Sequence, residues 1–265
     1  MWLHTLDPYD IILLQETWSI NQTLNPGYTN FFIPAIPSKA GRHSGGLTIW
    51  IRNSLPVSVH QMDINHKDIL GLVLRFNLGH DLLIFNIYNR SLSSSQPSQL
   101  IQFLSVYLDS IRSNSGNSPT ILVGGDFNCT YEPIEGLSNV FDDEDAAFSI
   151  PGLSSGLKAK PSTLATQILA MTAQNNLRAC NGRTPSDLKR AATFHRNSYS
   201  STLDYFLINT DSWYRVVDLI VIQRLESDHD LVSLTLNIPV TATPSPDLFQ
   251  SHGNLVPSKN RKRVN

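Results

Sequence analysis

A chain of 265 residues with 41% hydrophobic and 16% charged side chains can bury one sizeable core, as a large single domain or two small ones. Its formal net charge of −2 excludes a global basic field, so any contact with DNA must come from local basic groups or from a bound metal. The two cysteines, Cys129 and Cys180, fall in no metal-ligand spacing, and a reduced, intracellular compartment is the simplest reading.

The first residues, Met1 to Pro8, lack the charged start and long apolar run of a secretory signal. No apolar stretch approaches the roughly 20 residues that a membrane span needs, so no membrane partner is expected. Tyr9 to Glu16 carries four consecutive aliphatics, which predict an interior strand buried on both faces, with Glu16 at its solvent end. Residues 17–44 are rich in Asn, Pro and Gly and read as loop. Short strands are then expected at Leu47–Arg52, Val57–His60, Ile69–Phe76 and Asp81–Tyr88, a succession that suggests a meander. From Ser98 the stripe Leu100, Leu104, Tyr107, Leu108 and Ile111 predicts a helix ending near Asn114.

The stretch from Pro119 to Asn128 follows that helix. Thr120–Val123 reads as a short buried strand, Gly124 and Gly125 allow a tight turn, and Asp126 and Asn128 stand two residues apart. If the extended conformation persists, both side chains leave on one face, where a carboxylate and a carboxamide suit a water, a metal or a phosphate oxygen. An Asp-Asn turn closing a hairpin is the other reading. Residues 132–161 form a long connection whose run Asp142–Asp145 reads as a solvated acidic turn, because it lacks the ligand spacing of a calcium loop. A second helix is expected over Thr163–Asn176, capped by Ser162. A basic loop (Lys189, Arg190, His195, Arg196) precedes strands at Leu203–Ile208, Val216–Gln223 and Leu231–Ile238. Residues 240–265 read as a disordered tail, whose cluster Lys259 to Arg263 is a solvated tail or, alternatively, a nuclear address.

Glu16, Asp126 with Asn128, Asp204, and Asp228 with His229 all stand at ends of apolar strands. In a layered α/β fold, strand ends on one edge converge on one cleft. At these residues the sequence resembles the endonuclease/exonuclease/phosphatase superfamily. The matching pieces are Leu14–Thr17, Asn86–Tyr88, Gly125–Asn128, Thr193-Phe194, Leu203–Tyr205 and Ser227–His229, and the flavour is that of the exonuclease III-like endonuclease domains of non-LTR retrotransposons.

The resemblance implies a DNase I-like α/β fold, a four-layered α/β sandwich of two packed mixed β-sheets flanked by helices, with residues 1–239 as the domain. It implies Mg²⁺-dependent phosphodiester hydrolysis, with Mn²⁺ as a substitute. In that chemistry Glu16 ligates the metal and Asp228 is an additional ligand. Asp126 orients and deprotonates the attacking water, and Asn128 fixes that water or a phosphate oxygen. His229 stabilises charge on the scissile phosphate, Asp204 holds its imidazole, and Tyr88 hydrogen-bonds the phosphate.

Two departures stand out. The family opens with a strand ending in Asn and a helix, and this chain starts only a few residues before the Glu16 strand, so an N-terminally truncated domain is expected. Asn89-Arg90-Ser91 also stands where relatives carry Pro-Asn, with Arg90 as a substitute phosphate contact. The leading expectation is a DNA-nicking endonuclease, with a reverse transcriptase as partner in a parent polyprotein. The alternatives are an inactive truncated relic or polyprotein fragment, and a phosphatase on small phosphoesters.

Overall fold

The computed structural model describes residues 8–22, 24–38, 41–90, 97–114, 119–130 and 162–239. The acidic run Asp142–Asp145 and the tail from residue 240 lie outside the described residues.

One six-stranded sheet carries the molecule. A meander of β4 (Val57–Gln61), β5 (Ile69–Phe76) and β6 (Asp81–Tyr88) forms half of it. Next come β7 (Thr120–Asp126), β11 (Asp204–Asn209) and the short edge strand β8 (Leu177–Ala179), in the order β4-β5-β6-β7-β11-β8. Only β6 and β7 run parallel, and α1 (Gln99–Asn114) makes the crossover that a parallel pair requires.

Alternation along these strands decides what each face covers. Leu83, Phe85 and Ile87, with Val123, Tyr205 and Leu207, point toward α1 and α2 (Thr163–Gln174). Their neighbours Leu82, Ile84, Leu122 and Ile208 point the other way, into a second core. The helices bring their apolar stripes to the first of these cores, Leu100, Leu104 and Leu108 from α1, Leu164, Ile168 and Met171 from α2. Ser162 caps α2 as expected, accepting from the Ala165 N–H at 3.1 Å.

The second core is closed by two smaller sheets. β3 (Leu47–Arg52) lies between β1 (Ile11–Gln15) and β2 (Tyr28–Ile33), while β12 (Val216–Ile222) pairs with β13 (Leu231–Leu236). A mixed six-stranded sheet with helices on one face and the two smaller antiparallel sheets on the other makes this the DNase I-like α/β fold. Among the described residues no α-helix covers the outside of the smaller sheets. Besides the short strand β8, three details differ from the sequence reading. Residues 17–44 contain the strand β2. The basic loop contains the hairpin of β9 (Phe194–Arg196) and β10 (Tyr199–Ser201). Among the described residues β1 pairs only with β3, and of its residues Ile12 alone is buried, so it is not the doubly covered interior strand its aliphatic run predicts.

Asn86 ties the two layers together from a fully buried position. Its amide donates to the Leu14 and Thr48 carbonyls at 2.9 and 3.0 Å, and its oxygen accepts from Gln15 Nε2 at 2.6 Å. An Asn86→Leu substitution removes three buried hydrogen bonds while keeping the volume, so unfolding in urea should show a loss of about 2–3 kcal/mol.

Candidate active site

Strand register brings the sequence-selected residues together. Tyr88 stands beside Asp126 across the parallel β6–β7 pair, and Asp126 stands opposite Asp204 across the antiparallel β7–β11 pair. β6 and β7 therefore end, and β11 begins, in one row on the face that looks toward the smaller sheets. Glu16 follows the last residue of β1, and Tyr88 donates its hydroxyl to the Glu16 carboxylate. Burial, and then the Glu16 carboxylate, push the Tyr88 phenol well above its ordinary range.

Asp126 is held by a turn. β7 ends at this residue, and its two oxygens accept from the Asn128 backbone N–H at 2.8 Å and from Asn128 Nδ2 at 3.1 Å. The two readings of Asp126-Phe127-Asn128, a turn and a site, are thus one structure. Phe127 points the opposite way, fully buried and edge-on to Tyr205 at 5.6 Å, which nails the turn into the helix-side core. Asn128 also reaches the Asn89 carbonyl at 2.9 Å. Asn128 and Glu16 both have positive φ, 48° and 49°, a conformation that Asn tolerates and Glu adopts under strain.

His229 sits in the link between β12 and β13, its Nδ1 2.9 Å from Asp204 Oδ2. The same Asp204 oxygen accepts from Thr193 Oγ1 at 2.6 Å, and the Leu203 and Asp204 N–H groups donate to that hydroxyl at 3.0 Å each. Phe194 packs its ring against the imidazole at 5.0 Å. In the sequence Thr193 and Phe194 stood out only as a piece that matches the resembled family, with no role assigned. Thr193 is the buried hub that fixes Asp204, and a lone Thr before an aromatic carries no signal of that role. Asp228 stands apart. It is exposed, its backbone carbonyl accepts from His195 N–H at 2.8 Å, and its carboxylate makes no hydrogen bond among the described residues. Arg90 is engaged by Asp68 at 2.6 Å and by Ser44 at 3.1 Å, which draws its guanidinium into a structural ion pair.

Electrostatics concentrate here. Burial first, then the Asp204 charge, raise the Asp126 carboxyl to about 7 against the opposing pull of His229. Burial lowers the His229 pKa, but the Asp204 hydrogen bond and the Asp204, Asp126 and Glu16 charges outweigh it and raise the imidazole to about 9. A histidine raised from 6.5 gives stability that is fully present below pH 6.5 and lost as pH rises through 9. In metal-free protein, the stability difference between the wild type and His229→Gln should therefore shrink between pH 6 and 10. Denaturant titrations at the two pH values measure it.

The donor set suits a hard divalent cation. Asp126 and Asp204 bring carboxylate oxygens close together beside His229, and Glu16 lines the same cleft. The carboxylates, rather than a protonated His229, are the atoms that suit such an ion. No helix among the described residues is long and apolar enough to cross a membrane.

Comparison with known proteins agrees with this architecture. An AP endonuclease from Leishmania major matches with a TM-score of 0.64 and 14% identity, over 89% of this chain and 81% of that one. The endonuclease domain of TRAS1, a telomere-specific non-LTR retrotransposon, matches at 0.55 and 16%, over 88% and 87%. A 3′ phosphatase, NExo, from Neisseria, bound to a product DNA hairpin, matches at 0.60 and 15%, over 89% and 93%. No curated protein matches the chain by sequence. The family model described as Endonuclease/Exonuclease/phosphatase family matches residues 1–229, and the chain belongs to that family.

Proposed function

We propose that the chain is a divalent-metal-dependent phosphodiester hydrolase that nicks DNA, of retrotransposon origin. One observation carries this reading: the row Tyr88, Asp126 and Asp204 stands at the ends of three adjacent strands in front of Glu16, with His229 anchored on Asp204. The family supports the hydrolase, and the likeness to a retrotransposon endonuclease domain and to a DNA-bound phosphatase supports the substrate. The hairpin β9–β10 adjoins the site through the bridge Phe194–His229, and its exposed Arg196 is a candidate contact for a DNA backbone. A reverse transcriptase in the parent polyprotein is the expected partner.

Glu16, with Asp126, would hold Mg²⁺ or Mn²⁺, and Asp228 would join from the rim. Bound there, the ion supplies Lewis-acid neutralisation of the phosphate charge. The chain does the rest. Asp126 takes the proton of the attacking water as general base. Asn128 fixes the direction of that carboxylate. His229, positively charged at neutral pH, donates from its remaining ring nitrogen to the phosphoryl oxygens as charge develops. Asp204 and Thr193 keep the ring in place, and the Tyr88 hydroxyl orients Glu16 or a phosphate oxygen.

Supercoiled plasmid should be converted to the open circle with Mg²⁺, halted by excess EDTA and restored by Mn²⁺. Nicking that persists in EDTA would overturn the metal dependence. Hydrolysis of small phosphomonoesters with intact plasmid would overturn the choice of substrate.

A further inference from the structure

His229 is anchored through its ring and also through its backbone. Beyond the Asp204 contact, residues 228–230 form a short antiparallel ladder with residues 193–195, at the start of β9. The His195 N–H donates to the Asp228 carbonyl at 2.8 Å, and the Asp230 N–H donates to the Thr193 carbonyl at 2.7 Å. Between them Phe194 is the bridge partner of His229.

A side-chain contact closes this ladder. His195 Nε2 lies 3.0 Å from Asp230 Oδ2, and His195 Nδ1 lies 2.8 Å from Ser200 Oγ, on the opposite strand of the hairpin. The other Asp230 oxygen accepts from the Arg224 N–H at 2.8 Å. A carboxylate only accepts, so His195 Nε2 is the donor to Asp230. Both ring nitrogens are thus engaged, and the imidazole is fixed between the hairpin and the loop that carries His229.

We infer that His195 is a positioning residue: through Asp230 it fixes the backbone on which His229 is carried, and so holds that imidazole against the scissile phosphate. That role rests on the proposed hydrolase chemistry, in which His229 meets the phosphate. Asp204 and Thr193 set the direction of the ring, and His195 sets the place of its backbone.

Three observations support it. Asp230 follows His229 and His195 follows the bridge partner Phe194, so the pair braces the chain on the C-terminal side of His229. The Asp230 side chain is 5% exposed, so loss of its partner leaves a desolvated oxygen unpaired and draws the loop outward toward water. The His195 side chain is 40% exposed and belongs to neither core, so shortening it removes the bond rather than packing.

The test compares His195→Gln with His195→Asn in the full chain. The glutamine amide reaches where Nε2 stands and still donates to Asp230, whereas the asparagine amide reaches only as far as Nδ1 and serves Ser200 alone. His195→Asn should lower kcat for plasmid nicking about ten- to hundredfold, the cost of a reacting group misplaced by about 1 Å, with KM close to the wild type. His195→Gln should restore most of that rate. In a His229→Gln background His195→Asn should cost nothing further, because a brace has no effect once the group it holds is gone. The nitrogen NMR signals of the His229 ring give a readout that needs no catalysis. They should shift or broaden in His195→Asn and match the wild type in His195→Gln. Equal rates for the two variants, or an undiminished effect in the His229→Gln background, would overturn the inference. A wild type that nicks nothing sinks the hydrolase reading instead, and the ring signals alone then decide the brace: unaltered signals in His195→Asn overturn it.

Discussion

An Asp126→Asn variant should lose plasmid nicking by roughly 10²–10⁴-fold, the range that general-base assistance supplies. The substitution is nearly isosteric, and its oxygen still accepts from the Asn128 N–H. The bond from Asn128 Nδ2 is lost, but that group keeps the Asn89 carbonyl, so the turn should survive. Stability should hold or rise, because the wild-type carboxyl is 5% exposed and faces Asp204 across the β7–β11 pair. Melting temperature and nicking rate must therefore separate. If both fall together, Asp126 is a structural residue, and the proposed chemistry fails. A parallel Asp228→Asn variant sorts the metal ligands, since its exposed carboxylate lies outside the cluster of Asp126, Asp204 and His229. Unchanged Mg²⁺ dependence in that variant would remove Asp228 from the set.

The second large effect is expected at Gly125. Its φ is +138°, a region that side-chain-bearing residues rarely enter, and a Cβ there would lie 2.1 Å from the Ile87 carbonyl oxygen. Ile87 is its register partner on β6, so the obstacle is backbone that cannot swing aside. Gly125→Ala combines a strained backbone with overpacking, each worth about 1–3 kcal/mol, against a typical total stability of about 5–15 kcal/mol. A drop of about 3–5 kcal/mol in urea unfolding is expected, with poor recovery of folded protein. Gly124→Ala is the control. Its Cβ would meet the Phe206 ring edge at 2.5 Å, a side chain that can move, and it should lose less.

The strands with continuous or cleanly alternating apolar residues were legible, and so was α2 with its Ser162 cap. β2 was not. Tyr28-Thr-Asn-Phe-Phe-Ile33 breaks its alternation at Phe31-Phe32 and sits among Pro, Asn and Gly, so it becomes a strand only by pairing with β3. β8, β9 and β10 have three residues each, too few to show a period. At the site, the acidic strand ends could be picked out one by one, but their adjacency could not. That Asp204 lies opposite Asp126, and Tyr88 beside it, is a property of register, which local sequence does not encode. The roles of Thr193 and Asn89 were hidden for a related reason. Asn89 joins the Phe127 carbonyl at 2.8 Å and the Ser98 hydroxyl at 2.8 Å, and such hubs are defined by partners distant in sequence.

The left-handed backbone at Glu16 and at Asn128 carries a different cost at each residue. Glycine would relax the strained Glu16 but remove the carboxylate that the proposed chemistry uses, whereas at Asn128 it would forfeit the side-chain hydrogen bonds to Asp126 and to the Asn89 carbonyl. The strained glutamate that follows β1 is thus a position where local backbone preference and the proposed chemistry pull in opposite directions.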